Sequence, residues 1–326
     1  MKAAVCTQFG EIEQLEIQQI DDPKVSKGAV LLKVLAAGVN FPDGLTVQGL
    51  YQHKPELPFV PGVELAGEIL EIGEGVKGFA IGDRVLGFSQ TGAFAEQSVV
   101  PAATLMPIPE GISNAEASGF MTAHATAHYA LRQRGNLQAG ETLLVTGAAG
   151  GTGLAAVQIG KAIGATVIAA CSTAEKLAVA KQNGADILIN YSEKDLKTEL
   201  KAVTDGKGVD VAYDVVGGEA FDAISRCMAW GGRLLVIGFA SGTIPKLPVN
   251  LTLVKSYSVI GVFWGAFTQR EPQVFAANMQ ELVGWYMQGK VKVHVDETFP
   301  LERTVDALNK VMHRQVTGKV VITPHA

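Results

Sequence analysis

Glu141-Thr142-Leu143-Leu144-Val145-Thr146-Gly147-Ala148-Ala149-Gly150-Gly151-Thr152-Gly153 opens the stretch that decides the fold, and Ala165-Thr166-Val167-Ile168-Ala169-Ala170-Cys171-Ser172 closes it. Leu143 to Val145 has the composition of a short buried strand. Four glycines follow at once, at 147, 150, 151 and 153. Leu154 to Ile163 then has the spacing of a helix with one buried face. A strand, a glycine turn and a helix together suit a dinucleotide pyrophosphate. The turn admits close backbone approach, and the helix start offers free N–H groups and a partial positive charge. The G-x-G-x-x-G positions are Ala148, Gly150 and Gly153, so alanine replaces the first glycine. Glycine clusters also mark ordinary turns, and the context is what raises this one.

That context is an alternation of strands and helices. Val167 to Ala170, Ile187 to Ile189, Val209 to Val215 and Leu234 to Ile237 read as further strands, with a helix at Ala174 to Gln182. Such a series predicts an α/β fold with a parallel, doubly wound sheet. The end of the second strand selects the cofactor. An NAD site carries an acid about 20 residues past the glycines. Here Ala170-Cys171-Ser172-Thr173 holds none, and Glu175 lies beyond, inside the next helix. Ser172 can donate to a 2′-phosphate and Lys176 adds a positive charge. No acid repels that phosphate, so NADPH is expected over NADH.

The 326 residues suggest two domains with ample core. A net charge of -5 does not invite nucleic acid. No apolar run reaches the ~18 residues a membrane span needs. The start, Met1-Lys2-Ala3-Ala4-Val5, reads as a strand and not as a signal peptide. Cys6, Cys171 and Cys227 are widely separated and odd in number. They form no disulfide framework or metal cluster, and a cytoplasmic location fits. Residues up to about 115 have another texture. Val30 to Leu35, Leu65 to Ile72 and Arg84 to Phe88 are short segments broken by glycine and proline, as in an antiparallel β domain. Ala115 to Leu131 reads as a helix, as do Pro272 to Gln288 and Leu301 to Arg314. Lys319 to Ile322 reads as a last strand.

Several motifs then point to a family. They are Gly38-Val39-Asn40-Phe41-Pro42-Asp43, the run Leu57 to Gly67, and Gly82-Asp83-Arg84-Val85. With them stand Thr146 to Gly151, Gly184-Ala185-Asp186, Tyr213 to Gly218 and Thr317-Gly318-Lys319-Val320-Val321. With these motifs the chain resembles the zinc-independent NADPH:quinone oxidoreductases of the medium-chain dehydrogenase/reductase superfamily, over nearly its whole length. The resemblance implies a GroES-like antiparallel β domain, residues 1–115, rejoined by 290–326. It implies a Rossmann nucleotide domain, 116–289, a cleft where the two meet, and a homodimer built by sheet extension through Ser256 to Val262.

Alcohol dehydrogenases of the superfamily hold a catalytic zinc through Cys and His. At the matching places this chain has Asn40 and Val63. The four-cysteine structural lobe is missing too, since no cysteine lies between Cys6 and Cys171. Glu64 and Asp43 remain, with hydrogen bonding to the loop backbone as their simplest role. No metal is expected. Without a Lewis acid, alcohol oxidation is unfavoured, whereas a quinone or conjugated carbonyl can accept hydride directly.

The resemblance also assigns roles. Asn40, Phe41 and Asp43 would line the cleft near the nicotinamide, and Thr126 would touch its carboxamide or ribose. Ala149, Gly150, Gly151 and Thr152 would cradle the pyrophosphate. Ser172, Lys176 and Tyr191 would surround the 2′-phosphate and adenosine. Gly238, Phe239, Ala240 and Ser241 would lie beneath the nicotinamide, with Phe263 and Trp264 nearby. Phe263 and Trp264 could equally be core or interface aromatics. Quinone reductases carry a Thr-Tyr pair and an arginine after the aspartate. Here Gly44-Leu45-Thr46-Val47 stands there, with Tyr51 kept as the one local phenol able to donate a proton. The less polar loop leaves room for enals, enones or acyl-thioesters. His124 and His128, spaced i, i+4, are expected to be structural. Three readings follow: a quinone reductase, an enal/enone or enoyl-thioester reductase, and an NADPH-binding protein with little turnover.

Overall fold

A computed structural model describes residues 1–325 of the chain. It divides into two compact units, Met1–Thr122 with the chain from Val293 onward, and Ala123–Lys292. Among the described residues no helix is long and apolar enough to cross a membrane.

The first unit begins with β1 (Lys2–Val5) and β2 (Glu16–Gln19), an antiparallel pair. β3 (Ala29–Val39) is followed by a short helix α1 (Phe41–Val47), then β4 (Glu64–Ile72), β5 (Arg84–Phe88), β6 (Gln97–Pro101) and β7 (Met106–Pro107). The unit boundary falls inside α2 (Asn114–Tyr129). β3 is longer than its apolar segment suggested because it pairs on both sides, with β4 and with β6. α1 was not legible as a helix. Its sequence, Phe-Pro-Asp-Gly-Leu-Thr-Val, carries both Pro42 and Gly44. The proline is harmless in the first turn, where its missing N–H would have no intrahelical partner.

The second unit supplies β8 (Thr142–Thr146), α3 (Gly151–Ile163), β9 (Thr166–Cys171), α4 (Ala174–Gln182), β10 (Ile187–Asn190), α5 (Leu196–Val203), β11 (Val209–Asp214), α6 (Gly218–Ser225) and β12 (Met228–Val236). It continues through α7 (Asn250–Lys255), β13 (Ser258–Gly261), α8 (Trp264–Arg270) and α9 (Pro272–Met287). Six parallel strands lie in the order β10-β9-β8-β11-β12-β13. This is the doubly wound Rossmann arrangement, and the order reverses between β8 and β11. The strands read as near-continuous apolar runs because helices cover both faces. Leu144, Ile168, Ala212 and Leu234 are fully buried in one core cluster.

The chain then returns to the first unit as β14 (Val295–Pro300), α10 (Thr304–Met312) and β15 (Lys319–Thr323). The expected helix from Leu301 begins as a 3-10 turn, Leu301–Arg303. The large sheet runs β14-β15-β3-β4-β5-β7, with β6 beside β3. It is antiparallel except for the β14–β15 pair. This is a GroES-like sheet, and its core is built around Val30, Leu32, Leu65, Ile69 and Val320.

Candidate functional site

The topological switch point of the Rossmann sheet is closed by one carboxylate. Asp214 ends β11 and is 2% exposed. It accepts from Thr146 Oγ1 at the end of β8 at 2.6 Å, and from the N–H groups of Val216 and Gly217. Thr146 Oγ1 in turn accepts from Val215 N–H at 3.2 Å. Burial raises the Asp214 carboxyl, and the hydrogen bonds oppose that shift. Further on, Ala240 and Ser241 donate their N–H groups to the carbonyls of Val215 and Val216 at 3.0 and 2.9 Å. The loop after β12 is thereby tied to the loop after β11. Nothing in the residue pattern flagged Asp214 beyond its place in a family motif. Its role follows from the strand order.

Above β8 the glycine loop is built to be approached. α3 starts at Gly151 with Gly150 as N-cap, and no side chain caps it. Its first-turn N–H groups are therefore the natural partners of an anion. A Cβ added at Gly150 would meet only the Gly147 carbonyl, at 3.5 Å, and one at Gly238 only the Val215 carbonyl, at 3.6 Å. Gly153 differs, because a Cβ there would run into the Gly147 carbonyl and come within 2.9 Å of Ala148 Cα. Its absent side chain serves helix–strand packing, while that of Gly150 leaves open space. Ala149, within the loop, is buried. The Thr152 hydroxyl shares a 2.7 Å hydrogen bond with Tyr213 and donates to the Ala123 carbonyl at 3.2 Å. That brings the start of α3 beside α2, one turn before Thr126, which is half-buried. An uncapped helix start with open space at Gly150 and Gly238 fits a dinucleotide.

At the end of β9, Ser172 and Lys176 are half-buried. Thr173 caps α4 by accepting from Lys176 N–H at 3.3 Å. Tyr191 N–H donates to the Cys171 carbonyl, which brings its backbone to the same strand end. Burial pushes the Cys171 thiol up to about 11, and the N–H groups of Ala148 and Ala149 only soften that shift. Trp264 is buried, edge-on to Phe275 at 5.9 Å between centroids. Phe263, the N-cap of α8, is exposed. The two histidines of α2 are buried within this unit. His124 contacts Gln158 at 3.3 Å and His128 contacts Glu281 at 2.7 Å. Burial lowers the His128 pKa despite Glu281.

Asn40, Asp43 and Tyr51 belong to the first unit, where they meet two residues of a buried network. Asn40 caps α1, and its backbone N–H donates to Asp43 Oδ2 at 2.8 Å. Its side-chain Nδ2 donates to Glu64 at 2.9 Å, and its Oδ1 accepts from Lys319 at 2.7 Å. Asp43 is 1% exposed, with its Oδ1 buried and without a hydrogen-bond partner. Burial pushes this carboxyl up to about 7, against the pull of the Asn40 N–H and Lys319. The half-buried Tyr51 phenol is raised first by burial and then by Asp43. Phe41 begins α1 and is half-buried. No site role was read for Lys319 beyond its place in the family motif Thr317 to Val321 and at the start of the last strand.

This donor set does not suit zinc. Val63 offers no ligand atom, and both ends of the Asn40 amide are engaged. Among the described residues no group of three or more His, Cys, Asp or Glu could hold a metal ion.

Comparison with known proteins gives the same architecture. Residues 26–110 match the alcohol dehydrogenase GroES-like domain, and residues 151–282 match a model described as zinc-binding dehydrogenase. The quinone oxidoreductase-like protein 2 of Rattus norvegicus is 40% identical over 323 residues, covering 99% of this chain and 92% of the relative. A quinone oxidoreductase structure from Pseudomonas syringae pv. Tomato DC3000 is 32% identical with a TM-score of 0.93, covering 99% of each chain. The Escherichia coli quinone oxidoreductase complexed with NADPH is 29% identical, also at TM-score 0.93, over 99% of this chain and 100% of that one. With both units matched and the likeness running from end to end, the chain belongs to the quinone oxidoreductase-like family of the medium-chain dehydrogenase/reductase superfamily.

Proposed function

We propose that this chain reduces quinones with NADPH by direct hydride transfer, with no metal in the catalytic step. The observation that carries the reading is an open, uncapped glycine loop beside a strand end without an acid, where Ser172 and Lys176 stand instead. The NADPH complex of the Escherichia coli relative supports the choice of cofactor. When bound, the nicotinamide supplies the hydride. The N–H groups from Ala149 to Thr152 hold the pyrophosphate. Ser172 and Lys176 hold the 2′-phosphate, with Tyr191 at the adenosine and Thr126 at the carboxamide. Gly238 to Ser241 support the ring. Phe263, exposed after β13, is the more available of the two aromatics, since Trp264 is buried. On the acceptor side Tyr51 keeps its proton at neutral pH and can pass it to a product anion. We place the chain in a homodimer through the β13 edge.

Tyr51 also favours a second reading, reduction of enals or enoyl-thioesters, because their enolates are more basic than hydroquinone anions and need a donor. Both readings are tested by NADPH and NADH consumption with 1,4-benzoquinone, 9,10-phenanthrenequinone, acrolein and crotonyl-CoA. The quinones should turn over, with NADPH preferred. Lys176→Ala should weaken NADPH by about 1–2 kcal/mol and leave NADH unchanged. Tyr51→Phe should cost little with quinones, and ~10²-fold with an enal if that is the true class. Tight NADPH binding with no turnover of any acceptor would leave only a binding role.

A further inference from the structure

Lys319 places an ammonium in the interior of the first unit, where it is 4% exposed. Lysine is rarely buried so fully unless paired. Its Nζ donates to Glu64 Oε1 at 2.7 Å, Asn40 Oδ1 at 2.7 Å and the Val39 carbonyl at 3.1 Å. All three donors are used. Glu64 is 1% exposed, and its other oxygen accepts from Thr122 N–H at 2.8 Å. Gly38 makes the room: a Cβ there would press within 2.6 Å of Glu64 Oε1.

The consequence falls on Asn40. Its carbonyl end faces the ammonium and its NH₂ end faces the carboxylate. A flipped amide would set oxygen against carboxylate and NH₂ against ammonium, so one orientation is specified. Asn40 also begins α1, and its backbone N–H holds Asp43. A chain of contacts therefore runs from β15 and β4 to the start of α1. Buried ion pairs are often no more stabilising than well-packed apolar residues, so stability alone is a weak reason for this one.

We propose that Lys319 and Glu64 are positioning residues that lock the Asn40 amide, and through it the Phe41–Asp43 turn, for the reduction proposed above. The inference rests on that reading. Lys319 acts through Asn40 and not on the acceptor, because its donors are consumed within the network.

The test compares Lys319→Met, Glu64→Gln, the double variant, and Lys319→Met in an Asn40→Ala background. Each is measured for thermal midpoint, NADPH affinity, and kcat and KM with the best acceptor of the panel. Lys319→Met strands a buried carboxylate, so it should lower the midpoint. It should also lower kcat by about 10- to 10²-fold, the scale of a small misplacement, with KM and NADPH affinity held. The double variant should regain the midpoint but not kcat. After Asn40→Ala, Lys319→Met should cost no further kcat. If kcat returns with stability in the double variant, or if the cost persists without Asn40, the positioning role is refuted. Should the double variant not fold, Lys319→Arg keeps the cation but moves its donors. It should lose kcat while lowering the midpoint less than Lys319→Met does, and full kcat would refute the role. A parent without turnover overturns the reductase reading and this inference with it. An active parent whose variants keep kcat overturns the inference alone.

Discussion

Two glycines three residues apart have opposite tasks. At Gly150 the backbone is extended, with φ -77° and ψ 167°, and the space over Cα is open. An alanine fits the fold there and takes up the volume through which a pyrophosphate would approach. At Gly153 an alanine meets backbone atoms that cannot yield. Gly150→Ala should leave the thermal midpoint unchanged and weaken NADPH at least ~10-fold, about 1.4 kcal/mol. Gly153→Ala should destabilise the fold by about 1–3 kcal/mol, the usual cost of overpacking. Urea unfolding and NADPH titration of both variants check this. Unchanged affinity in Gly150→Ala would mean that the phosphates bind elsewhere. The sequence placed both glycines in one motif, but only the distances in the folded loop separate a glycine with open space over it from a packing one.

Among the elements, the strands of the second unit were the most legible, because a parallel sheet covered on both faces needs plain apolar runs such as Leu143 to Val145 and Val167 to Ala170. α1 was opaque for the opposite reason. Its start has a local capping pair, Asn40 and Asp43, but the Asn40 side chain is held by residues far away in sequence, Glu64 and Lys319, which no local pattern announces. The charge state of this element should be visible in stability. Asp43 moves from an unfolded pKa of about 3.9 to about 7 when folded, through burial. Glu64, Lys319 and Tyr51 are the groups that face it. A raised carboxyl contributes its full stability below the unfolded value and loses it as pH climbs to the folded one. Asp43→Asn is neutral throughout and keeps an acceptor for the Asn40 N–H. It should match the parent near about pH 4, then gain on it until about pH 7 and run parallel above. The gain should be on the order of 2–4 kcal/mol. Urea midpoints of both proteins across that range measure the difference, and a flat difference would show that Asp43 ionises freely in the fold.

For the whole molecule, the question is what covers the open edge of the Rossmann sheet. β13 is the last strand, paired only with β12. Val262 N–H donates inward to the Val236 carbonyl at 3.1 Å. By alternation the N–H groups of Gly261 and Val259 point to the open side. Bare edges of this kind invite another strand unless they are blunted. Near this side of the sheet, Trp230 of β12 is 75% exposed, and Leu253 and Val254 of α7, which packs against β12, are 80% and 66% exposed. A patch beside an unpaired edge marks an association surface better than scattered apolar residues do. The homodimer proposed above would put a second copy here, since two identical edges can pair about a two-fold axis and close the assembly. Sedimentation equilibrium should find the parent dimeric. Val259→Pro removes an outward N–H while sparing the bonds to β12, and Trp230→Glu places a charge in the patch. Each should shift the protein toward monomer, and the pair of changes should do so fully, while NADPH binding to the separate loop ends of β8 and β9 persists. A monomeric parent would refute the assembly. A dimer indifferent to both changes would move the interface to another face.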